Sequence, residues 1–177
     1  IEKYPFVKGD YAFKVCRIEP ENNIHIILNA FSKLADKNIV VVGNWVNSDY
    51  GINLKKEFKR FENIHLLDPL YNQRVLNKLR SNCNIYIHGH SAGGTNPSLV
   101  EAMKLKLPVF AYGIQYNKET TENKALYFNN ADELILLIKN TDKNELNLIA
   151  ENMEIIAGER YTWELVSQAY SSLFKNN

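Results

Sequence analysis

Short apolar segments alternate with longer amphipathic segments along most of the chain. The clearest short segment is Asn38–Val42, which ends in four consecutive β-branched residues. Such a run predicts a strand that is buried on both faces, as in parallel sheets. The clearest amphipathic segment is Asn22–Ala35, whose apolar residues recur at helical spacing. The same criteria predict strands at Tyr11–Ile18, Asn63–Leu67, Asn84–His88 and Pro108–Tyr112, a weaker strand at Ala125–Phe128, and helices at Asp49–Phe61, Asn72–Ser81, Pro97–Lys106, Asn130–Asn140, Lys143–Gly158 and Tyr161–Lys175.

Strands and helices therefore alternate regularly, and helices dominate the C-terminal part. This order predicts an α/β fold with a Rossmann-like, doubly wound and mostly parallel sheet. In such sheets, ligands bind in the crevice outside the carboxyl ends of the strands. The loops at those ends are expected at Arg17–Asn23, Gly43–Tyr50, Asp68–Asn72, Gly89–Ser98 and Gly113–Thr121.

Composition limits the function classes. The 177 residues fit one domain, and we assign it to residues 11–177. The chain opens on Ile1 instead of Met, so we expect residues 1–10 to be the remnant of a linker to another domain. A net charge of +1 argues against nucleic acid as a partner. Cys16 and Cys83 lie in apolar segments without a Cys-x-x-Cys pair, which predicts two buried thiols in a reducing compartment.

The loop at residues 88–98, with the sequence His-Gly-His-Ser-Ala-Gly-Gly-Thr-Asn-Pro-Ser, leaves a predicted strand and opens a predicted helix. Asn96 suits the N-cap of that helix, and Pro97 suits its first position. Exposed amides and the positive end of the helix dipole form a site for an anion there, and the glycines let a ligand approach the backbone. The residues predicted to bind a diphosphate in this loop are Gly94, Thr95, Asn96 and Ser98.

Two charged residues lie near this loop in the predicted fold. Glu101 follows Pro97 by one helical turn, and its carboxylate can accept hydrogen bonds from two vicinal ribose hydroxyls. Alternatively, it is a surface glutamate that is favoured near a helix N-terminus. Arg17 follows the first strand, and its planar guanidinium suits a diphosphate. Alternatively, Arg17 is a surface residue that pairs with Glu19 or Glu21.

His88 and His90 lie at one strand end and point the same way. No third ligand accompanies them nearby, so we predict that they bind no metal ion. We expect His90 to contact a phosphate or a sugar hydroxyl.

The segment from Gly93 to Met103, followed by Pro108-Val109, resembles the donor-site signature of family 4 glycosyltransferases. That signature reads Glu-x7-Glu-Ala-Met and then Gly-x-Pro-Val. Glu101 matches the second glutamate, which binds the donor ribose in the family. The first glutamate, which the family associates with the donor sugar, falls on Gly93, so this chain departs from the pattern there. His90 and Asn96 are the candidates to replace it, and Gly93 itself is a candidate contact to the sugar or a phosphate.

Further segments carry the same resemblance. The loop sequence His-Gly-His-Ser-x-Gly-Gly-Thr-Asn-Pro-Ser-Leu resembles a narrower branch, the rhamnosyltransferase-like enzymes of bacterial surface polysaccharides. The segment Cys16–Asn22 resembles the Gly-Arg-x-x-x-Glu-Lys motif, whose two cations neutralise the donor diphosphate in the family. Arg17 matches that motif, whereas Asn22 stands where lysine is usual. Residues 161–164 resemble the Tyr-Ser-Trp motif that opens the last helix of the family.

Two further contacts are less specific. Asn117 lies on another predicted ligand-facing loop, and we expect it near the sugar. In the family, the loop after the third strand lines the nucleobase, whereas the alternative for the matching segment here is an ordinary turn. The corresponding nucleobase loop consists here of Asp68, Pro69, Leu70 and Tyr71.

The resemblance implies the C-terminal half of a GT-B glycosyltransferase, with the acceptor mainly on an N-terminal domain that is missing here. It implies a retaining hexosyltransferase that takes a nucleoside-diphosphate sugar and transfers the sugar to a saccharide or lipid-linked acceptor in surface polysaccharide synthesis. It implies no metal or other cofactor and no activity for this half alone. The enzyme is expected in the cytoplasm, free or attached peripherally to the inner face of the cell membrane.

Three other function classes share parts of this pattern. A nucleotide-sugar epimerase has the same overall build, and the fold does not exclude it. A flavodoxin-like binding module without chemistry gives no reason for the glycine-rich loop and Glu101 to occur together. A dinucleotide oxidoreductase needs Gly-x-Gly-x-x-Gly after the first strand, whereas the segment from Arg17 to Pro20 contains no glycine.

Overall fold

The computed structural model describes residues 10–162, together with residues 4, 164, 165, 167 and 171. A single sheet of six parallel strands forms the centre of this part of the chain, and helices cover both of its faces. The strands are β1 (Tyr11–Val15), β2 (Asn38–Val42), β3 (Ile64–Leu67), β4 (Ile85–His88), β5 (Val109–Tyr112) and β6 (Leu126–Phe128). The helices are α1 (Ile24–Ser32), α2 (Asp49–Phe58), α3 (Gln73–Ser81), α4 (Pro97–Lys104), α5 (Gln115–Thr120), α6 (Ala131–Asn140) and α7 (Lys143–Arg160), with a 3-10 turn at Pro20–Asn22 before α1.

The predicted alternation of strands and helices is confirmed. Strand β2 has the predicted bounds, and the weaker strand β6 is present. The interpretation of residues 113–121 as a loop was wrong, because α5 lies within it. Helix α7 continues beyond Gly158 to Arg160, and the helix predicted at residues 161–175 lies mostly outside the described residues. No helix in the described part of the chain is both long enough and apolar enough to cross a membrane.

The two faces of the sheet bury different sets of helices. On one face, Phe13 and Tyr86 pack with Leu76 and Leu79 of α3. On the other face, residues such as Val41 join a larger cluster with α1, α2, α6 and α7. Burial on both faces explains why β2 is apolar at consecutive positions, because neither side of the strand meets water.

The strand order is β3-β2-β1-β4-β5-β6. Strands β2 and β3 therefore lie in sequence on one side of β1, and strands β4, β5 and β6 lie in sequence on its other side. This is the doubly wound Rossmann order, in which the crevice between the two central strands is the position for a ligand. A flavodoxin-like sheet has the order 2-1-3-4-5, so the flavodoxin-like alternative was wrong about topology.

Candidate functional site

A cleft of about 350 Å³ lies between the loops that follow β1 and β4. It occupies the point where the strand order reverses, at the carboxyl edge of the sheet. Five of the predicted residues line this cleft together: Arg17 from the loop after β1, and His90, Asn96, Ser98 and Glu101 from the segment after β4. Asn22 and Arg80 also line it, and neither was predicted as a ligand-binding residue.

Hydrogen bonds tie the two loops of the cleft to each other. The Asn23 side chain donates to the Gly89 carbonyl oxygen over 2.9 Å. The amide and the hydroxyl of Ser91 donate to the Glu21 carbonyl oxygen at 2.8 and 2.9 Å. At Gly89 a Cβ atom would lie 2.3 Å from the Asn22 carbonyl oxygen, so only glycine permits this close approach. The loops therefore form one rigid platform under the cleft.

The start of α4 has the predicted capping geometry. The Asn96 side-chain oxygen accepts from the Ser98 amide at 3.0 Å and from the Ser98 hydroxyl at 2.8 Å, and Pro97 occupies the first turn. Gly93 and Gly94 precede the cap with φ angles of +47° and +38°, which favour glycine. Within the described part of the chain, the amides of residues 92–96 take part in no hydrogen bond. They are thus available to an anion, together with the positive end of the α4 dipole.

Arg17 lies at the rim of the cleft with 75% of its side chain exposed. Its guanidinium is 3.5 Å from the Glu19 carboxylate and 3.8 Å from the Glu21 carboxylate. The ion pairs of the alternative interpretation are therefore present. Exposed pairs of this kind are weak, so they leave Arg17 free to exchange carboxylates for phosphate oxygens.

The hydrogen bonds of the Asn22 side chain determine which ring nitrogen of His90 carries the proton. The Asn22 amide nitrogen donates to the Arg17 carbonyl oxygen at 3.0 Å, which leaves the Asn22 side-chain oxygen 3.2 Å from Nδ1 of His90. Burial lowers the pKa of His90, and the nearby Lys14 ammonium lowers it further. A neutral ring that donates from Nδ1 to this oxygen carries a lone pair on Nε2, which suits it to accept from a hydroxyl.

Glu101 and Arg80 form an ion pair inside the cleft, in which Nη1 of Arg80 donates to Oε2 of Glu101. The Arg80 side chain is only 5% exposed, whereas that of Glu101 is 56% exposed. The spacing of apolar residues along α3 indicates that Arg80 is buried. Arg80 follows Leu76 by four residues and Leu79 by one, so it belongs to the apolar face of α3.

The titratable groups at the ends of β1 and β4 are strongly desolvated. His88 is buried, and neither of its ring nitrogens has a hydrogen-bond partner within the described residues. Burial lowers the pKa of His88 well below its usual value, and it also lowers that of the buried Lys14. Cys16 lies at the cleft, where burial raises the pKa of its thiol despite the neighbouring Lys14. Cys83 is buried as predicted, which raises the pKa of its thiol to about 12.

The remaining predicted residues lie outside the cleft. Thr95 lines an adjoining pocket of about 430 Å³, which shares Glu101 with the cleft and also includes Tyr161. A Cβ atom added to either of the exposed glycines Gly93 and Gly94 would meet no atom within 4 Å, so the loop is open to solvent there.

The predicted nucleobase loop follows β3, which is two strands away from β1 in the sheet. Its Asp68 pairs with Lys55 at 2.8 Å, Pro69 and Leu70 are half-buried, and Tyr71 is 88% exposed. Next to it, Trp45 is fully buried and donates to the Leu67 carbonyl oxygen, so it serves as a packing residue.

Asn117 is buried, and its amide nitrogen donates to the carbonyl oxygens of His90 and Tyr112, each at 2.9 Å. It therefore joins the loops after β4 and β5. Both hydrogens of its side-chain amide are engaged within the protein, so only its side-chain oxygen could accept from a sugar hydroxyl. The predicted contact with a sugar stays a prediction. Among the described residues, no three His, Cys, Asp or Glu side chains lie close enough to hold a metal ion.

Comparisons with known proteins point to one class of enzyme. Among curated sequences, the O-antigen biosynthesis glycosyltransferase WclY of Escherichia coli matches with 23% identity over 170 residues, which cover 95% of this chain and 47% of the relative. Of the solved structures, the Anabaena protein Alr3699/HepE in complex with UDP-glucose matches with a TM-score of 0.82 and 20% identity. The match covers 99% of this chain and 51% of the HepE chain. The C-terminal domain of a group 1 glycosyl transferase, LpcC of Francisella tularensis, matches with a TM-score of 0.72, 17% identity and coverage of 92% of both chains.

The chain thus spans about half the length of WclY and of HepE. At these identities, the structural matches establish a shared fold, which is that of a GT-B glycosyltransferase half. The family model described as "Glycosyl transferases group 1" matches residues 2–154, most of the chain. This chain therefore belongs to the group 1 glycosyl transferases.

Proposed function

We propose that this chain is the donor-binding domain of a retaining glycosyltransferase that takes a nucleoside-diphosphate sugar. The observation that carries the proposal is the cleft at the reversal of the strand order. There Arg17, the capped start of α4 at Asn96–Ser98 and the Glu101 carboxylate line one space of about 350 Å³. The UDP-glucose complex of HepE supports this class of ligand for a protein of the same fold.

The cleft and the loops beside it each suit one part of the donor. The amides of residues 92–96 and the guanidinium of Arg17 bind the diphosphate, with Ser98 and Thr95 supplying hydroxyls. To bind the diphosphate, the Arg17 guanidinium breaks its ion pairs with Glu19 and Glu21. The carboxylate of Glu101 accepts from the ribose hydroxyls, and Asp68–Tyr71 lines the nucleobase. Asn96 uses its side-chain oxygen as the helix cap, which leaves its amide hydrogens for a phosphate.

The donor sugar lies near His90 in this proposal. The first glutamate of the family signature is replaced by Gly93, which has no side chain to accept from sugar hydroxyls. The neutral His90 ring supplies such an acceptor through Nε2, with Asn22 holding its orientation. We assign the sugar contact to His90 for this reason, with Asn117 as a support for the same loop. A rhamnosyltransferase-like specificity follows from the resemblance of the loop sequence.

Catalysis in this proposal needs no metal ion. When the bond to the sugar breaks, negative charge develops on the leaving diphosphate, and preorganised donors stabilise it. The helix amides and Arg17 supply these donors. The acceptor, a saccharide or a lipid-linked saccharide of a surface polysaccharide, binds mainly to an N-terminal domain, and closure of the two domains excludes water. The proposal places the enzyme in the cytoplasm, free or on the inner face of the membrane, and leaves this half inactive alone.

Calorimetric titration of the chain with UDP, dTDP and GDP, with and without magnesium, tests the proposal. We expect one nucleotide to bind equally well under both conditions, and Arg17→Ala to weaken its binding about tenfold through the loss of a charge-assisted contact. Arg60→Ala is the matched control, because Arg60 follows α2 at the opposite, amino edge of the sheet and is exposed. Equal binding by wild type and Arg17→Ala would contradict the assignment of Arg17. Failure of all three nucleotides to bind would contradict the donor site.

An assay with the complete enzyme separates transfer from epimerisation. A transferase consumes the nucleotide sugar in proportion to the acceptor that is added, and it releases the nucleoside diphosphate with a product of retained anomeric configuration. An epimerase converts the sugar without an acceptor, and that outcome would replace the proposed reaction.

A further inference from the structure

Arg80 is a buried cation at the cleft. It lies in the last turn of α3, on the same helical face as Leu76 and Leu79, and its side chain is 5% exposed. Arginine is almost never buried to this extent unless it is paired. Its partner is Glu101 of α4, which accepts from Nη1 through Oε2. Both residues line the cleft.

We propose that Arg80 is a positioning residue that orients the Glu101 carboxylate and balances its charge so that Glu101 can hold the ribose of the nucleotide. This inference rests on the proposed function. Arg80 does not contact the nucleotide itself, and it acts through Glu101.

The orienting effect follows from the hydrogen bond. A glutamate side chain that is more than half exposed samples several rotamers, and holding it in one costs conformational entropy when a ligand binds. Arg80 fixes Oε2, and within the described residues Oε1 takes part in no hydrogen bond. A carboxylate offers about four acceptor positions, so the ion pair leaves Glu101 with enough positions for two vicinal hydroxyls. The binding geometry is thus set before the nucleotide arrives.

The charge effect follows from the composition of the cleft. A carboxylate beside a diphosphate repels it, and this repulsion is strong where water is excluded. Arg80 places a positive charge directly on the Glu101 carboxylate, on the side of α3. The pair together is neutral, so the cleft can accept the diphosphate and still present acceptors to the ribose.

A purely structural clamp between α3 and α4 is the competing explanation, and it requires a careful choice of variant. Removing Glu101 would leave the buried Arg80 charge without a partner, which is strongly destabilising whatever the function. Removing Arg80 leaves a carboxylate that water can reach, because Glu101 is 56% exposed. Arg80→Met keeps the apolar stem of the side chain and is therefore the informative change.

The experiment compares ribonucleotides with 2′-deoxyribonucleotides. Dissociation constants are measured by calorimetry for UDP and 2′-deoxy-UDP, and for GDP and 2′-deoxy-GDP, on wild type, Arg80→Met, Arg80→Lys and Arg60→Met. Within a pair the base and the diphosphate are identical, so the ratio of the two constants reports on the ribose contact alone. Thermal melting of each variant checks its folding, and Arg80→Lys, which keeps the charge, is the second variant if Arg80→Met does not fold.

For wild type and Arg60→Met we expect the ribonucleotide to bind about tenfold more tightly than its deoxy analogue, because a hydrogen bond to a charged group is lost. We expect the ratio to fall below about threefold in Arg80→Met and to be intermediate in Arg80→Lys, whose ammonium keeps the charge but not the planar fork. An unchanged ratio in a folded Arg80 variant would overturn the inference and leave the donor site standing. Equal dissociation constants for the ribonucleotide and its deoxy analogue in wild type would overturn the ribose contact. Failure of wild type to bind any nucleotide would overturn the proposed function itself.

Discussion

A cavity at the amino edge of the sheet is larger than the cleft at its carboxyl edge. That cavity, of about 580 Å³, is lined by the residues that precede β1, β4 and β5 and by the start of α7. The cleft at the carboxyl edge has about 350 Å³. Volume alone would select the amino edge as the binding site, whereas the doubly wound topology selects the carboxyl edge.

The chemistry of the two edges explains which of them is suited to a ligand. At the amino edge, Lys106 forms an ordinary exposed pair with Glu154 at 3.0 Å. At the carboxyl edge, the start of α4 presents open amides, and the buried Arg80 and His88 retain polar atoms without a partner in the described chain. Groups that cost stability in this way persist most often at functional sites. We therefore propose the carboxyl edge as the binding site on the orientation of its backbone and polar groups, although the cleft there is smaller than the cavity at the amino edge.

The largest effect is expected from a methyl group at Gly89. Gly89→Ala places a Cβ atom 2.3 Å from the Asn22 carbonyl oxygen, so the platform beneath the cleft must move. We expect the free energy of unfolding to fall by about 3 kcal/mol. Gly158→Ala is the control, because Gly158 lies exposed in α7 with no atom near its Cβ position, and there we expect a gain of about 0.5–1 kcal/mol. Urea unfolding measures both, and equal effects would contradict the rigid platform.

The next effect concerns the dependence of stability on pH. The pKa of His88 in the folded chain lies well below the value of about 6.5 of an unfolded histidine. As the pH falls through about 6.5, His88 becomes protonated in the unfolded chain but stays neutral in the folded chain. The free energy of unfolding therefore falls by up to about 1.4 kcal/mol per pH unit. We expect His88→Leu to flatten this decline between pH 7 and pH 5. Urea unfolding at several pH values measures it.

His65→Leu is the control for that experiment, because burial lowers the pKa of the half-buried His65 to a smaller extent. A decline in stability that is as steep in His88→Leu as in wild type would show that His88 is not its source.

The smallest effect is expected from the carboxylates beside Arg17. Glu21→Gln removes one negative charge that competes with the diphosphate for the guanidinium. Because such exposed pairs are weak, we expect nucleotide binding to become only about threefold tighter, with a smaller gain at high salt. Glu154→Gln removes a carboxylate at the amino edge and serves as the matched control. An equal change in both variants would indicate a general effect of net charge.

Much of this fold is encoded locally, and the sequence therefore predicts it. The β-branched run of β2 gives a strand with the predicted bounds, and Asn96-Pro97 places the start of α4 correctly. The topology then brings Arg17 and Glu101 to one cleft, since the carboxyl ends of parallel strands meet at the same edge. Helix α5 was missed because its six residues, Gln115–Thr120, are mostly polar and show no apolar periodicity.

Contacts between distant segments are the part that the sequence did not reveal. Arg80 is 21 positions from Glu101, and a basic residue in the last turn of a helix is ordinarily explained by the helix dipole. Its place on the apolar face of α3 was the available signal. The family pattern indicates only a lost cation at Asn22, whereas the structure uses this residue to orient His90 through two hydrogen bonds.

The most direct test of the central claim maps where a nucleotide binds. Two-dimensional amide NMR spectra of the chain are recorded during titration with UDP and with GDP. Binding at the reversal of the strand order predicts saturable shifts at residues 17–23 and 89–101, without shifts at residues 105–108 of the amino edge. Shifts confined to the amino edge, or no shifts at millimolar concentrations of either nucleotide, would contradict the assignment of the donor site.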